Sequence, residues 1–237
     1  MKNQYFGDVH DYRQYGLLRA IQTIGTGKLL VAWMLTSDDK SRDGRFRSYL
    51  QDPDAWKRYD PELFDGIEEI LRPAPASKVS LIEGSQLLPR TTYYSAVVPD
   101  ARQDREAWCE GLLCATRGSD LVFVDPDNGI EVPSKLLGRK GSSKYVTWLE
   151  IQEIWQVGCS ILVYQHFRHE QRAAFAKRMM MQLREKTGAC LTGAFRTPHV
   201  LFLLAAQDRH VPQFRQMIPL LSQKWNGQIE PMGLGAC

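Results

Sequence analysis

The chain has 237 residues, of which 43 % are hydrophobic and 10 % are aromatic, so it can bury a core as one domain over residues 1–237, and global disorder is excluded. Its formal net charge of +3 permits an anionic ligand but does not by itself indicate nucleic acid. The five cysteines form no C-x-x-C pair or Cys/His cluster, which argues against structural zinc and a disulfide framework. Because no apolar run has the length of a membrane span and the first residues lack a signal-peptide pattern, we expect a cytoplasmic protein without membrane association.

The first predicted helix covers residues 10–24, because Tyr12, Tyr15 and Leu18 are spaced for one apolar face and Gly25 follows. The apolar run over residues 28–35 then predicts a strand that is covered on both faces. Hydrophobic periodicity and turn residues predict the remaining elements. In chain order these are a helix over 61–71, short strands over 78–82 and 93–98, a helix over 105–117, a strand over 120–125, a helix over 148–157, a strand over 160–165, a helix over 169–186, strands over 190–195 and 199–206, and a helix over 211–225.

Strands that alternate with helices indicate an α/β fold of the Rossmann-like kind, with a mostly parallel sheet and helices on both faces. The last two strands break that alternation, because only residues 196–198 connect them, and they predict an antiparallel edge hairpin. The order of the final elements is strand, helix, strand, helix and hairpin. This order resembles that of the class I methyltransferase-like Rossmann folds.

Three of the predicted strands are followed by polar residues, which are candidates for a ligand site. In open parallel sheets, ligands bind at the carboxyl ends of the strands, near the point where the strand order reverses. We expect the polar groups to meet there in one crevice, since carboxylate, amide and imidazole groups together are what a site requires. They are Thr36, Asp38 and Asp39 after the first strand, Asp125, Asp127 and Asn128 after the central strand, and Gln165 and His166 after the next one.

The segment from Asp125 to Gly129 has the sequence Asp-Pro-Asp-Asn-Gly and gives the strongest signal. Pro126 has no N–H and fixes φ, so the chain leaves the sheet at once, and Asn128-Gly129 permits a left-handed turn. The segment resembles the D-P-P-Y signature of amino-methyltransferases, in which an acidic or amide residue receives the exocyclic NH2 of a base. The resemblance implies that Asp125 accepts the target amine, while Asp127 and Asn128 position it. Asp127 and Asn128 replace the second proline and the aromatic residue, which removes the usual stacking platform for a flipped base.

The opening segment over residues 6–18 carries a second similarity. It resembles the opening helix of the ribosomal-RNA adenine methyltransferases of the RlmJ type, and a bacterial family of unassigned activity has a similar helix and loop. The methyltransferase resemblance implies S-adenosylmethionine as cofactor and nucleic acid as partner. The residues expected to bind the cofactor are His10, Asp11, Thr36, Asp38 and Glu83, the last at the end of the second strand. Those expected to bind the substrate are Arg13, Arg139, Lys140, Lys144 and Gln165, and those expected in catalysis are Asp125, Asp127, Asn128 and His166.

The chain departs from methyltransferases after the first strand. Methyltransferases usually have a glycine-rich turn there, because adenosylmethionine lies against the bare backbone. Residues 31–39 contain no glycine, and Gly44 is too distant to take its place. Three interpretations stay open: the cofactor lies elsewhere, the first strand is assigned wrongly, or adenosylmethionine does not bind.

The same residues also permit a different chemistry. The polar groups of the Asp-Pro-Asp-Asn turn, together with Asp38 or Asp39 and with His166 nearby, can hold Mg²⁺ through hard oxygen ligands. The loop over residues 138–144 adds three cations and small residues whose amides can approach phosphate. A magnesium-dependent nuclease or phosphohydrolase is therefore an alternative. A non-catalytic nucleic-acid-binding protein that has lost its donor site is another, and the sequence leaves DNA or RNA and the oligomeric state open.

Overall fold

The apolar runs of the sequence form the strands of a sheet in the computed structural model, in which residues 1–23, 25, 27–38, 46–72 and 78–234 are described. The strands are β1 (Leu29–Ala32), β2 (Thr91–Tyr94), β3 (Leu121–Val124), β4 (Gly129–Ile130), β5 (Tyr145–Val146), β6 (Ser160–His166), β7 (Leu191–Arg196), β8 (Val200–Ala206) and β9 (Glu230–Met232). The α-helices are α1 (Val9–Thr23), α2 (Pro53–Trp56), α3 (Pro61–Leu71), α4 (Ser80–Glu83), α5 (Arg102–Ala115), α6 (Trp148–Gln156), α7 (Arg172–Thr187) and α8 (Val211–Lys224).

The seven-stranded sheet has the order β2-β1-β3-β6-β8-β7-β9, and β4 and β5 form a separate parallel pair. Strands β2, β1, β3 and β6 are parallel to one another, whereas β8 is antiparallel to both β6 and β7. The predicted α/β, Rossmann-like fold with a mostly parallel sheet is therefore confirmed. The predicted hairpin, β7 and β8, lies at one end of the sheet, and β9 adds an outermost antiparallel strand to β7.

The core lies on both faces of the sheet, as expected for strands that are buried on both sides. One apolar cluster joins the sheet to α1, α3 and α8, and the other joins it to α5, α6 and α7. All four residues of β1 and of β3 are buried. Of the helices that the structure describes, none combines the length and the apolar character that crossing a membrane requires.

Helix α1 packs closely against the end of α8, because Gly16 lies directly against the indole of Trp225, the residue that follows α8. A Cβ atom at Gly16 would lie 2.0 Å from that ring, and Trp225 is fully buried. We expect Gly16→Ala to lower the free energy of unfolding by about 1–3 kcal/mol through overpacking, measured by urea denaturation. Gly84→Ala is the matched control, since its nearest neighbour would be 3.5 Å away; an equal loss in both variants would contradict the packing argument.

The strand predicted over residues 78–82 is wrong, because this segment forms the short helix α4. Val79 and Ile82 are both buried, and a spacing of three residues places them on one side of a helical turn. The strand next to β1 is β2, which ends at Tyr94 before the predicted end at residue 98. Glu83 therefore does not follow a strand, and its Oε1 accepts a hydrogen bond from the Trp33 indole N–H (2.8 Å).

Several predicted features lie outside the described residues. They are the end of the first helix at Ile24, the polar loop over residues 39–45 with Asp39 and Gly44, the prolines Pro73 and Pro75 after α3, and Cys237.

Candidate functional site

A cleft of about 430 Å³ opens at the carboxyl ends of β3 and β6. We call it the main cleft. The first turn of α1 and the N-terminal segment form its opposite side. Its lining residues are Met1, Lys2, Tyr5, Asp8, His10, Asp11, Gln14, Phe46, Asp125, Pro126, Asp127, Asn128, Lys144, Tyr164 and His166. The structure thus brings together the four residues expected in catalysis and also His10, Asp11 and Lys144, while their chemical roles remain predictions.

The turn after β3 aims its polar residues into the main cleft. The N–H of Asp125 makes the last bond to β1, donating to the Ala32 carbonyl (2.9 Å). Pro126 then ends the pairing, because proline has no N–H to donate. The N–H of Asn128 donates to the Lys144 carbonyl (2.9 Å), and this bond starts the second parallel pair, β4 with β5. The turn is therefore held at both ends by main-chain hydrogen bonds.

Gln165 holds this turn through hydrogen bonds to main-chain groups, and it does not line the main cleft. Its Oε1 accepts a hydrogen bond from the Ile130 N–H (2.8 Å), and its Nε2 donates to the carbonyls of His166 (2.8 Å) and Asn128 (3.5 Å). The side chain is buried. The contacts of Gln165 are those of a positioning residue, and its predicted role in substrate binding would be indirect.

Asp125 is a buried carboxyl at the centre of the main cleft. It is 3 % exposed, and its Oδ2 accepts a hydrogen bond from Gln14 Nε2 (3.3 Å). Burial raises the pKa of Asp125 to about 7, although the nearby Met1 amino group and Gln14 act in the opposite direction. A carboxyl with such a pKa can accept or release a proton near neutral pH.

Two further carboxyls come from the start of α1. Asp8 accepts the N–H groups of His10 (2.9 Å) and Phe46 (2.8 Å), so it caps the helix as expected for this position. Asp11 accepts the N–H of Gly7 (2.9 Å). Burial raises the pKa of both Asp8 and Asp11, and for Asp11 the neighbouring carboxylates add to the effect. The α1 side of the main cleft therefore concentrates acidic groups, which favour a cationic ligand on that side.

The imidazole of His10 lies beside these acids with a nitrogen that has no partner. Burial lowers the pKa of His10 to about 4, and Arg13 and two neighbouring histidines act in the same direction. The ring is therefore neutral at pH 7. Its buried Nδ1 makes no hydrogen bond within the described residues. This nitrogen is also closed off from solvent, so a ligand in the main cleft would reach it only after the ring turns.

His166 and Tyr164 form another wall of the main cleft, because alternate residues of β6 face the same side. The rings are in edge contact at 5.1 Å, and the Tyr164 hydroxyl lies 3.5 Å from His166 Nε2. His166 lies at the exposed mouth, and the protein packed against its inner side lowers the pKa of its imidazole.

Asp127 is surrounded by ammonium groups. Its carboxylate lies 3.4 Å from Lys144 Nζ, 3.8 Å from Lys2 Nζ and 4.0 Å from the Met1 amino nitrogen. Lys144 is the accessible member of this set, since its side chain is 40 % exposed. Within the described ranges, no three His, Cys, Asp or Glu side chains are grouped so as to hold a metal ion.

Four other predicted residues do not line the main cleft. The N–H of Thr36 donates to the Met1 carbonyl (2.9 Å), and the exposed Asp38 accepts the N–H of Gln4 (3.3 Å). Arg13 is turned to the far side of α1, where its guanidinium donates to Gln228 Oε1. Glu83 is held by Trp33, as described above. For Glu83 the cause is the wrong strand assignment, and for Arg13 it is a buried polar contact that sequence spacing does not reveal.

The loop over residues 138–144 was predicted to offer its amides to phosphate, but a carboxylate of the protein already binds them. Asp100 accepts the N–H groups of Gly141 (2.8 Å) and Ser143 (2.7 Å). Although burial acts in the other direction, these bonds lower the pKa of Asp100. Arg139 and Lys140 stay exposed on the loop and do not reach the main cleft.

The crevice between the ends of β1 and β3 is filled by the protein itself. The Met1 amino group donates to the carbonyls of Met34 (3.3 Å) and Asp125 (3.1 Å). Trp33 and Met34 are fully buried, and Met34 has a positive φ of 45°, which is uncommon for a residue with a side chain. The first strand is thus assigned correctly, and the missing glycine turn is a real feature of the chain.

Sequence reasoning missed several lining residues. Tyr164 lies two positions before His166 in the same strand, so strand alternation would have found it. Gln14 lies one helical turn after His10 and Asp11, so helical spacing would have found it. Lys2 and Phe46 reach the cleft through contacts between distant segments, for which the sequence has no local signal.

A second group with catalytic residue types lies at the opposite edge of the sheet. Ser160 Oγ is 2.8 Å from His210 Nδ1, and His210 Nε2 is 3.6 Å from Asp120. Ser160 is fully buried and accepts the N–H of Gln207 (2.9 Å). Because a nucleophile must be reachable, this group is structural and joins β6 to the turn after β8.

Models of known protein families do not match the chain, and neither do curated protein sequences. Function is therefore inferred from the main cleft and the strand order.

Proposed function

We propose that the protein methylates an exocyclic amine of a nucleic-acid base, with S-adenosylmethionine as the methyl donor. The observation that carries the proposal is the position of Asp125. Asp125 directly follows the central strand β3, and its carboxyl faces the opening helix α1 across the main cleft. The pKa of this carboxyl is about 7. The hairpin of β7 and β8 after β6 and α7 supports the proposal, because it agrees with the order of final elements on which the methyltransferase resemblance is based.

Asp125 has the chemistry that an amine acceptor needs. A bound amine would donate an N–H to this carboxylate, which would orient the amine nitrogen. Methyl transfer forms a nitrogen–carbon bond and breaks the donor's sulfur–carbon bond, so the nitrogen would become more acidic and Asp125 would accept its proton. With a pKa of about 7, this carboxylate is basic enough to take the proton and acidic enough to release it to water. Gln14 keeps the carboxyl in place.

Adenosylmethionine, when bound, supplies an electrophilic methyl group on a positively charged sulfur. The main cleft fits that charge, since Asp8 and Asp11 line it and their buried carboxyls favour a cation. The rings of Tyr5 and Phe46 offer apolar surface beside them. The fit does not extend to the crevice above β1, which Met1 fills. The donor would therefore be held by the α1 side of the main cleft.

The substrate side of the proposal depends on the cations near the mouth. Lys144 reaches the main cleft, and Arg139 and Lys140 extend from the neighbouring loop into solvent. They are suited to contact the phosphates that flank a bound base.

A second candidate is a nucleic-acid-binding protein without catalysis. The filled crevice between β1 and β3 favours it, because this is where open α/β sheets usually bind their ligand. Magnesium-dependent hydrolysis has less support, since a cation would have to replace the ammonium groups of Lys2 and Lys144 around Asp127.

We expect adenosylmethionine to bind with an affinity that rises with pH. A cation favours ionised carboxyls, so its binding releases protons from the buried carboxyls of the main cleft. These are Asp125, whose pKa is about 7, and Asp8 and Asp11, whose pKa values burial also raises. Each released proton lowers the dissociation constant by at most about tenfold per pH unit, and for Asp125 the gain in affinity levels off above pH 7. Isothermal titration calorimetry at pH 5.5, 6.5 and 8 measures this, and two buffers of different ionisation enthalpy count the protons.

Asp11→Asn is expected to weaken binding of adenosylmethionine more than binding of adenosylhomocysteine, whose sulfur is uncharged. The exposed Asp104→Asn is the control. Absence of heat and of a thermal shift at millimolar adenosylmethionine would exclude the methyltransferase. Retained nucleic-acid binding would then favour the binding protein, and cleavage that requires Mg²⁺ would favour the hydrolase.

A further inference from the structure

A second cleft lies at the same edge of the sheet but on its other face. Its volume is about 470 Å³, and we call it the lateral cleft. Gln165 and His166 show how the two clefts are related, because consecutive residues of a strand point to opposite faces. His166 lines the main cleft and Gln165 lines the lateral cleft. The turn after β3 and the end of β6 lie between them, and Asn128 lines the main cleft whereas Ile130 lines the lateral cleft.

The lateral cleft combines an apolar floor with cations. The floor includes Ile130, Trp148 and Met179. Trp148 is the first residue of α6, and its main-chain N–H donates to Glu131 Oε1 (2.8 Å). The residue is partly exposed. The indole also packs against the apolar cluster between the sheet and helices α5, α6 and α7. A partly exposed indole that is supported by the core in this way is a stacking surface for a planar ring.

Two guanidinium groups line the lateral cleft beside this floor. Arg168 is exposed, and no carboxylate lies within ion-pair distance of it in the described parts of the chain. Arg178 bonds to Glu170, yet its side chain is still 45 % exposed. Arginine is suited to phosphate because its planar fork can donate two parallel hydrogen bonds. Indole and guanidinium groups together fit a ligand that has both an aromatic ring and a phosphate.

We propose that the lateral cleft binds a nucleotide adjacent to the one whose base enters the main cleft, in single-stranded nucleic acid. This inference rests on the proposed nucleic-acid substrate. The base stacks on Trp148, and its phosphate contacts Arg168 and Arg178. The strand passes over the turn after β3, where Lys144 lies on the main-cleft side. A base pair would not fit this path, because the two neighbouring bases occupy opposite faces of the sheet.

Fluorescence anisotropy with a 5′-labelled, mixed-sequence 12-nucleotide strand tests the inference, with RNA and DNA versions as separate arms. We expect Trp148→Ala to weaken binding about tenfold or more, because one stacked base is lost. Trp148→Phe keeps an aromatic face and should restore most of the affinity. Arg168→Ala should weaken binding and reduce the slope of log affinity against log salt concentration by about one. The exposed Arg117→Ala is the matched control and should change neither value.

Calorimetry with adenosylmethionine separates this inference from the proposed function, since Trp148 does not line the main cleft. Unchanged strand binding in both Trp148→Ala and Arg168→Ala would overturn the inference, and so would equal affinity for the duplex form. Binding of adenosylmethionine without binding of the oligonucleotide would also overturn the inference, and methylation of a small amine would then be the remaining function. Trp148-dependent strand binding without donor binding would support the lateral cleft and contradict the methyltransferase. Circular dichroism confirms that each variant is folded.

Discussion

Asparagine in place of Asp125 is expected to stabilise the fold at pH 8 and, in the same variant, to reduce amine methylation by about a hundredfold or more. Burial raises the pKa of Asp125 from 3.8 to about 7. At pH 8 the folded protein therefore keeps a charge in a poorly hydrated place, and the neutral amide does not. Since one pKa unit corresponds to about 1.4 kcal/mol, the gain in free energy of unfolding is up to about 4 kcal/mol.

The sign of this effect is set by proton binding. Between pH 4 and 7 the folded carboxyl of Asp125 holds a proton more tightly than the unfolded one, so the wild-type protein loses stability as the pH rises through this range. Asp125→Asn lacks that loss. The difference between the two proteins should be largest above pH 7 and smallest near pH 4. Urea denaturation at several pH values measures it.

Asp104→Asn provides the control for Asp125→Asn, because Asp104 is exposed and should shift stability by less than about 0.5 kcal/mol. Methyl transfer is measured in parallel with labelled adenosylmethionine and a single-stranded oligonucleotide. If the free energy of unfolding changes with pH in the same way for the wild-type protein and for Asp125→Asn, the carboxyl of Asp125 has the same pKa in the folded and unfolded states. The proton-transfer role would then lose its basis.

Gly129→Ala is expected to damage both the fold and the main cleft. Gly129 has a φ of +113°, and a Cβ atom there would lie 2.5 Å from the amide of Gln165. Gln165 cannot easily move, because it bonds to three main-chain groups. We expect a loss of about 2–4 kcal/mol in the free energy of unfolding, which combines backbone strain and overpacking. We also expect the variant to lose binding of the single-stranded oligonucleotide.

Gly118→Ala separates the two causes. Gly118 also has a positive φ, of +77°, but a Cβ atom there would meet nothing within 4 Å. It should therefore cost only the backbone strain, about 1–2 kcal/mol. If the two variants lose the same stability by thermal and urea denaturation, Gln165 does not hold the turn as tightly as its contacts imply.

Much of the fold could be predicted because its signals are local. Burial on both faces of β1 and β3 is predicted by their continuous apolar runs. The buried face of α1 is predicted by the helical spacing of Tyr12 and Tyr15. The segment with Val79 and Ile82 failed because four residues do not distinguish a strand from one helical turn. The outermost strand β9 also gave no signal, since a three-residue pairing depends on its neighbour β7.

The candidate site was predictable to the extent that it lies at strand ends. Asp125 and His166 follow apolar runs, and the carboxyl ends of parallel strands meet at one edge. The contact of Met1 with Asp125 spans 124 positions, and no local pattern encodes it. The pKa of Asp125 could not be foreseen either, because it arises from burial by segments that are remote in sequence.

The single amide of Gln165 gives the two clefts a common mechanical element. Its oxygen holds Ile130 on one side and its nitrogen holds Asn128 and His166 on the other. An occupant of either cleft that shifts this amide changes the geometry of the opposite one. By reciprocity, any factor by which a nucleotide on one face strengthens binding on the other must apply equally in the reverse direction.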